Sequence, residues 1–202
     1  MKKKILITLL VLIPFISILL VIGFRGVIMP TNEEIVEELR DIEFYKTKAN
    51  YIFKNSRGEE KENTTQYYSR VDGVRVEFGE ELIKLYKDDE VTVIDNKTNV
   101  EYKLDKSMDI LYSLSFMKNI LSYPIIRGTM KEAQEEWGDI IYIQFDVEIF
   151  KENDHLDSAR VFINKETREP IGVIVYDKKG EITLTVIYED FEKMKEIDDN
   201  LL

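Results

Sequence analysis

From Phe44 onward the chain meets a turn signal every eight to twelve residues, and between signals its side chains alternate with a period of two. The signals are Ser56-Arg57-Gly58, Asp72-Gly73, Phe78-Gly79, Asp88-Asp89 and Asn96-Lys97. The first run places Tyr45, Thr47, Ala49, Tyr51 and Phe53 on one face and Lys46, Lys48, Asn50 and Lys54 on the other. Further alternating runs occupy 60–71, 74–78, 82–87, 90–95 and 99–104. Short strands joined by tight turns make an antiparallel meander.

Ser107 to Tyr123 interrupts this pattern. Ile110, Leu111, Leu114, Met117, Ile120 and Leu121 recur at spacings of one, three and four, which predicts one helix with a broad apolar face, stopped by Pro124. A second β series follows at 129–134, 140–150, 156–163, 170–177 and 181–188. Its turns are Glu152-Asn153-Asp154, Asn164-Lys165-Glu166 and Lys178-Lys179-Gly180. Before the first strand, Thr31 followed by Glu34 reads as a capping box, and Ile35, Val36, Leu39 and Ile42 form one stripe. The expected fold is therefore mainly β, with about eleven strands and two or three helices. A sheet that wide twists until it curls. Helices lying in the mouth of a half-open barrel would cover both their own apolar faces and the concave one.

Ahead of this domain, residues 5–22 hold eighteen positions without a charge, preceded by Lys2, Lys3 and Lys4. A helix of that length is roughly 27 Å long, close to the thickness of a bilayer core. Ile5, Leu10, Pro14, Leu20 and Ile22 are the expected anchor residues. The lysines favour the cytoplasmic side, which would place everything after Gly23 outside. Gly23-Phe24-Arg25-Gly26 is not an A-x-A-like cleavage site, so residues 1–30 read as an uncleaved signal anchor with its linker, and 31–202 as one extracytoplasmic domain. That domain carries 24 basic against 39 acidic residues, a net of −15, which repels nucleic acid and anionic headgroups. With no cysteine, disulfides, thiolate metal sites and thioether-linked lipid are all excluded.

An N-terminal targeting segment, an amphipathic helix, six strands, a helix and five more strands resemble the LolA/LolB-like lipoprotein-carrier superfamily. Tyr45-Lys46-Thr47-Lys48-Ala49-Asn50-Tyr51 looks like that fold's opening hairpin, and Val91-Thr92-Val93-Ile94-Asp95-Asn96 like a later strand. Within it, the size, the composition and a helix followed by Tyr123-Pro124 look most like the germination lipoprotein group of spore-forming anaerobes. The resemblance implies a non-enzymatic protein that binds a cortex-modifying cell-wall amidase in the cell envelope or the forespore intermembrane space. It also leaves two other readings open, a lipid or lipoprotein carrier holding an acyl chain and an envelope-stress sensor. The chain departs from the germination group in lacking a cysteine to lipidate.

No catalytic arrangement emerges, and no cofactor is called for. His155 is the single histidine and falls in a turn, so neither a histidine-based metal site nor Ser-His-Asp chemistry can be assembled. Glu132, Glu135 and Glu136 read as a solvated face, Asp95 to Glu101 as a hairpin turn without the glycine of a calcium loop, and Trp137 as a packing residue. Tyr45, Tyr51, Tyr67, Tyr68, Tyr86 and Tyr102 all lie on expected strands. They fit ordinary strand propensity first, with an interface or cavity lining as the alternative. The run 60–71 is polar on both faces, as in an edge or a projecting hairpin, which makes Thr65, Tyr67 and Tyr68 candidates for docking a partner or a second copy. Leu114, Phe116, Met117, Leu121, Ile143 and Phe145 would line the hollow of the half-barrel if it is open, and fill it as a solid core if it is not.

Overall fold

The structure is a computed structural model describing residues 12–20, 30–134, 136–149, 154–198 and 201–202. It divides into an N-terminal unit, Met1–Val36, and a body, Glu37–Leu202. In the first unit residues 12–20 form a helix (α1) whose nine residues are all exposed and uncharged. Among the described residues no helix is long and apolar enough to cross a membrane. Pro14 and Leu20 lie in α1, whereas Ile5, Leu10 and Ile22 lie outside the described residues. Helix α2 (Asn32–Arg40) begins as expected: the Thr31 amide donates to Glu34 Oε2 at 2.8 Å and the Glu34 amide to Thr31 Oγ1 at 3.2 Å. This reciprocal pair satisfies two of the amides that a helix start leaves open.

The body is built on one antiparallel sheet in the order β6-β5-β4-β3-β2-β1-β11-β10-β9-β8-β7. The first meander supplies β1 (Phe44–Asn55), β2 (Gly58–Ser69), β3 (Gly73–Phe78), β4 (Leu82–Lys87), β5 (Glu90–Asp95) and β6 (Val100–Asp105). The second supplies β7 (Lys131–Ala133), β8 (Tyr142–Glu148), β9 (Ser158–Asn164), β10 (Pro170–Tyr176) and β11 (Ile182–Lys193). The two series join where the first strand meets the last, with Tyr51 opposite Val186 and Ala49 opposite Tyr188. β6 and β7 do not pair, so the sheet curls without closing.

Three register shifts sit around the centre of the sheet: Lys46/Lys48 of β1 against β11, Val175/Tyr176 of β10 against β11, and Pro170/Gly172 of β10 against β9. An extra residue on one strand of a pair bends it and increases its twist. The sheet is thus curled from the middle, with a concave side carrying Tyr45, Tyr51, Val76, Val93, Phe145, Val161, Val173 and Val186, all at most 1% exposed. At the start of β3, Gly73 has φ of +112°, and a Cβ there would lie 2.1 Å from the Tyr86 carbonyl oxygen. Both the turn and the close approach of β4 require glycine.

The single helix expected over 107–123 is instead broken into a 3-10 turn (Lys106–Asp109), α3 (Ile110–Ser113) and α4 (Met117–Ile120), giving four α-helices among the described residues. The reason is tertiary. Phe116 adopts an extended backbone, φ −74° and ψ 127°, and buries its ring edge-on against Tyr86 at 4.9 Å. The backbone groups freed by the break are taken up by the sheet. Tyr188 donates its hydroxyl to the Ser115 carbonyl at 2.5 Å, and the Met117 amide donates to the Tyr45 hydroxyl at 3.3 Å. Ser115 Oγ donates to the Tyr112 carbonyl at 2.7 Å while accepting from Gln66 Nε2 at 2.8 Å and from Tyr51 Oη at 2.6 Å.

β2 is not an edge strand. Thr65–Ser69 pairs with β3 on one side and β1 on the other, and only Gly58–Thr64 has β1 as its sole neighbour. β1 is itself paired with β11 as far as Phe53, so only the turn end of this hairpin is two-stranded; near it Tyr112 donates its hydroxyl to Glu62 Oε2 at 2.5 Å and meets the Phe53 ring edge-on at 5.6 Å.

Replacing Tyr188 by Phe leaves the buried Ser115 carbonyl without its donor, and should lower unfolding free energy by about 1–3 kcal/mol in urea denaturation. Tyr102→Phe, on an exposed strand, should change it by less than about 0.5 kcal/mol. Equal effects of the two would show that the hydroxyl does not hold the break.

Candidate interaction surfaces

Among the described residues the concave side offers no open hollow. Leu114, Phe116, Met117, Ile120 and Leu121 from the plug segment 106–123 are at most 1% exposed, as are Ile143 and Phe145 opposite them. Every residue named from the sequence as a candidate cavity lining therefore lies in packed core. At the mouth, a cleft of about 510 Å³ remains between the β1–β2 hairpin, the 3-10 turn and the turn at His155, lined by Phe53, Met108, Ile110, Leu111, Tyr112 and Leu156. His155 lies in an exposed turn, as expected.

One buried ion pair beneath the plug is fully compensated. Lys84 places its ammonium 2.9 and 3.0 Å from the Asp109 carboxylate oxygens, with Tyr86 donating its hydroxyl to the same carboxylate at 2.6 Å. The ammonium also sits 4.0 Å from the Tyr112 ring centroid and 5.1 Å from that of Phe78. A largely desolvated ion pair of this kind fixes geometry more than it adds stability. It ties β4 to the first turn of the plug.

Binding capacity is left to edges and to the convex side. β6 pairs with β5 alone among the described residues, and its other edge leaves backbone groups open to a partner strand. It carries Val100 at 50% and Tyr102 at 47% exposure, with Met108 at 74% just beyond it. Tyr102 is one of the tyrosines the sequence marks for an interface or cavity lining, whereas Val100 and Met108 carry no such mark, because Val100-Glu101-Tyr102-Lys103-Leu104-Asp105 alternates like any interior strand. The opposite end is better covered: β7 and an isolated bridge from Ile125 to Val147 both lie against β8.

Thr65 and Tyr67 are half-buried on the convex side, next to Glu77 and Arg75 of β3. Lys46 reaches over the Tyr67 ring at 5.4 Å. Tyr68 does not share their surface. With a period of two it points inward, 2% exposed and stacked on Tyr45 at 4.7 Å between centroids. Of the six tyrosines picked out by sequence, Tyr45, Tyr51, Tyr68 and Tyr86 face the plug and are buried, whereas Tyr67 and Tyr102 do not. Trp137 packs on Phe162 at 5.3 Å, where the missing side chain of Gly172 makes room for the indole.

The family model described as "Sporulation protein YdcC-like" matches residues 2–202. No curated protein matches the chain. Among solved structures, an uncharacterized conserved protein from Thermus thermophilus is similar with a TM-score of 0.54 and 12% identity, over 84% of this chain and 91% of that one, and shares the fold. A chain from the complex of the CwlD amidase with the GerS lipoprotein of Clostridioides difficile matches with a TM-score of 0.47 and 20% identity, over 82% and 98% of the two chains. A LolA superfamily protein, NE2245 from Nitrosomonas europaea, matches with a TM-score of 0.42 and 11% identity, over 84% and 96%.

The inward tyrosines set an alkaline limit on the body. Burial pushes the Tyr68 hydroxyl up to about 12 and raises those of Tyr45, Tyr51, Tyr86 and Tyr188 further above the ordinary value of 10. The folded state keeps these groups protonated, whereas the unfolded chain releases their protons from pH 10 upward. Their contribution is therefore intact below pH 10 and is lost as pH rises through the window from 10 to 12 and beyond. Urea midpoints should be level just below pH 10 and fall steeply above it, with tyrosinate absorbance appearing together with unfolding. Gradual tyrosine ionisation without loss of structure would contradict this burial.

Proposed function

The chain belongs to the YdcC-like sporulation protein family, and on that premise we propose that it is a non-enzymatic, membrane-anchored protein of the cell envelope that works by gripping a protein partner. The observation carrying this reading is the filled hollow: Leu114, Phe116, Met117, Leu121, Ile143 and Phe145 occupy the space an acyl chain would need. What remains available to a ligand of any size is surface, and the free edge of β6 has both exposed apolar side chains and unpaired backbone. An extended segment of a partner can add to such an edge, drawing affinity from main-chain hydrogen bonds and specificity from contacts at Val100 and Tyr102.

The anchor is supported by the sequence of residues 5–22 and by α1. A charge-free helix with all of its residues exposed calls for an apolar environment. The lysines at 2–4 would hold its start on the cytoplasmic side and the body outside. Such a tether supplies the localisation that a body of net charge −15 could not obtain from anionic lipid headgroups.

The first partner to test is a cell-wall amidase, because a GerS lipoprotein has been solved in complex with one. That likeness selects the probe and carries no further weight. The full chain, expressed in sporulating cells with a photo-crosslinking residue at position 102, should capture a cell-wall hydrolase. The same residue at the exposed turn position Lys179 should not. Crosslinks to lipid alone, or the same products from both positions, would rule out β6 as the grip.

A further inference from the structure

The register of β6 on β5 sorts its side chains by face. Tyr102 stands opposite Val93 and Leu104 opposite Val91, and both valines are buried on the concave side. Opposed residues of an antiparallel pair share a face, so Val100, Tyr102 and Leu104 form an apolar row on that side. Glu101 and Lys103, opposite Ile94 and Thr92, carry one charge of each sign on the convex side. Lys103 also meets Glu90 of β5 at 2.7 Å, an exposed contact on the same face.

This order of residues is complementary to itself. When two copies of β6 lie antiparallel, a two-fold axis must pass through a residue, because opposed side chains share a face. With the axis at Tyr102, Glu101 of each copy faces Lys103 of the other, Val100 faces Leu104, and Tyr102 faces its own counterpart. An axis at Glu101 sets that carboxylate against itself. An axis at Lys103 sets that ammonium against itself and Glu101 against Asp105. Axes at Val100 or Leu104 pair three strand residues or fewer. One register alone therefore matches charge and apolar rows over the length of the strand.

We propose that the free edge of β6 takes a second copy of this chain, paired antiparallel about Tyr102. The proposal rests on the reading of that edge as the grip and names its occupant. The charged row does more than attract: it sets like charges together in the neighbouring registers, which is how an edge admits one partner strand and refuses others. At the opposite rim β7 has only three residues, Lys131–Ala133, so it offers little edge for a head-to-tail contact. Pairing of β6 with β6 closes as a dimer and does not run on into a filament. Five opposed positions are few for a free-standing dimer, and anchoring both copies in one membrane would raise their effective concentration. One edge accepts one strand, so a foreign segment bound there would displace the second copy.

The chain has no cysteine, so a single introduced thiol reports the pairing. The full chain carrying Tyr102→Cys, purified and reconstituted in phosphatidylcholine vesicles, should form a disulfide with its own copy under mild oxidation. Lys179→Cys, at an exposed turn, should not. Adding Glu101→Lys to the Tyr102→Cys chain sets lysine opposite lysine, and adding Lys103→Glu sets glutamate opposite glutamate. Each should lower the disulfide yield by about fivefold or more, since like charges directly opposite are destabilising. Mixing the two charge variants, distinguished by size tags, should restore the yield as a mixed dimer. A folding defect in either variant cannot produce that rescue. Equal yields at positions 102 and 179, charge variants that pair as well as the parent, or no rescue on mixing would overturn the proposal. Because only purified protein is used, such a failure leaves the capture of a hydrolase at position 102 in cells as a separate result, and would mean that the edge serves a foreign strand alone.

Discussion

The structure depends on the sheet's capture of the backbone at Ser115 to Met117. A chain segment that leaves its helix in a protein interior exposes amides and carbonyls that must find partners. Here the Ser115 carbonyl accepts from the Tyr188 hydroxyl of β11 and the Met117 amide donates to the Tyr45 hydroxyl of β1, while Tyr51 of β1 and Gln66 of β2, the third of these adjacent strands, hold the Ser115 hydroxyl. Because those strands lie at the joint between the two meanders, the same contacts hold the plug in the hollow and the two halves of the sheet around it. Phe116 is released from helical geometry by the break and reaches Tyr86, which in turn carries Asp109 and, through it, Lys84. Fold and function meet there, since a hollow stoppered in this way leaves edges and surface sites for binding.

Much of this was readable from residue order. Period-two runs between turn signals located the strands within two or three residues at most of their ends, and the Thr31–Glu34 box located the start of α2. Local patterns suffice where local physics decides, as in turns, caps and alternation. The broken plug was not readable, because Ile110, Leu114, Met117 and Leu121 keep helical spacing straight through the break. Its cause is hydrogen bonding to residues more than sixty positions away in sequence.

Position within the sheet was equally hidden. The polar run of β2 resembles an edge, yet Thr65–Ser69 lies between β1 and β3, where Gln66 is buried and engaged inward. β6 reads like an interior strand and lies at the rim. The direction of each tyrosine followed from register alone: Tyr67 and Tyr68 are adjacent, so one faces solvent and the other the core.

Hydrogen exchange of the amides from Leu114 to Leu121 in the full chain bears most directly on whether the plug is permanent core or a lid. Permanent core requires these amides to exchange no faster than those of β1 and β11, through global unfolding alone. Exchange faster by orders of magnitude than in those strands, under conditions where the sheet stays protected, would mean that the hollow opens, and would return the protein to the carriers of lipid.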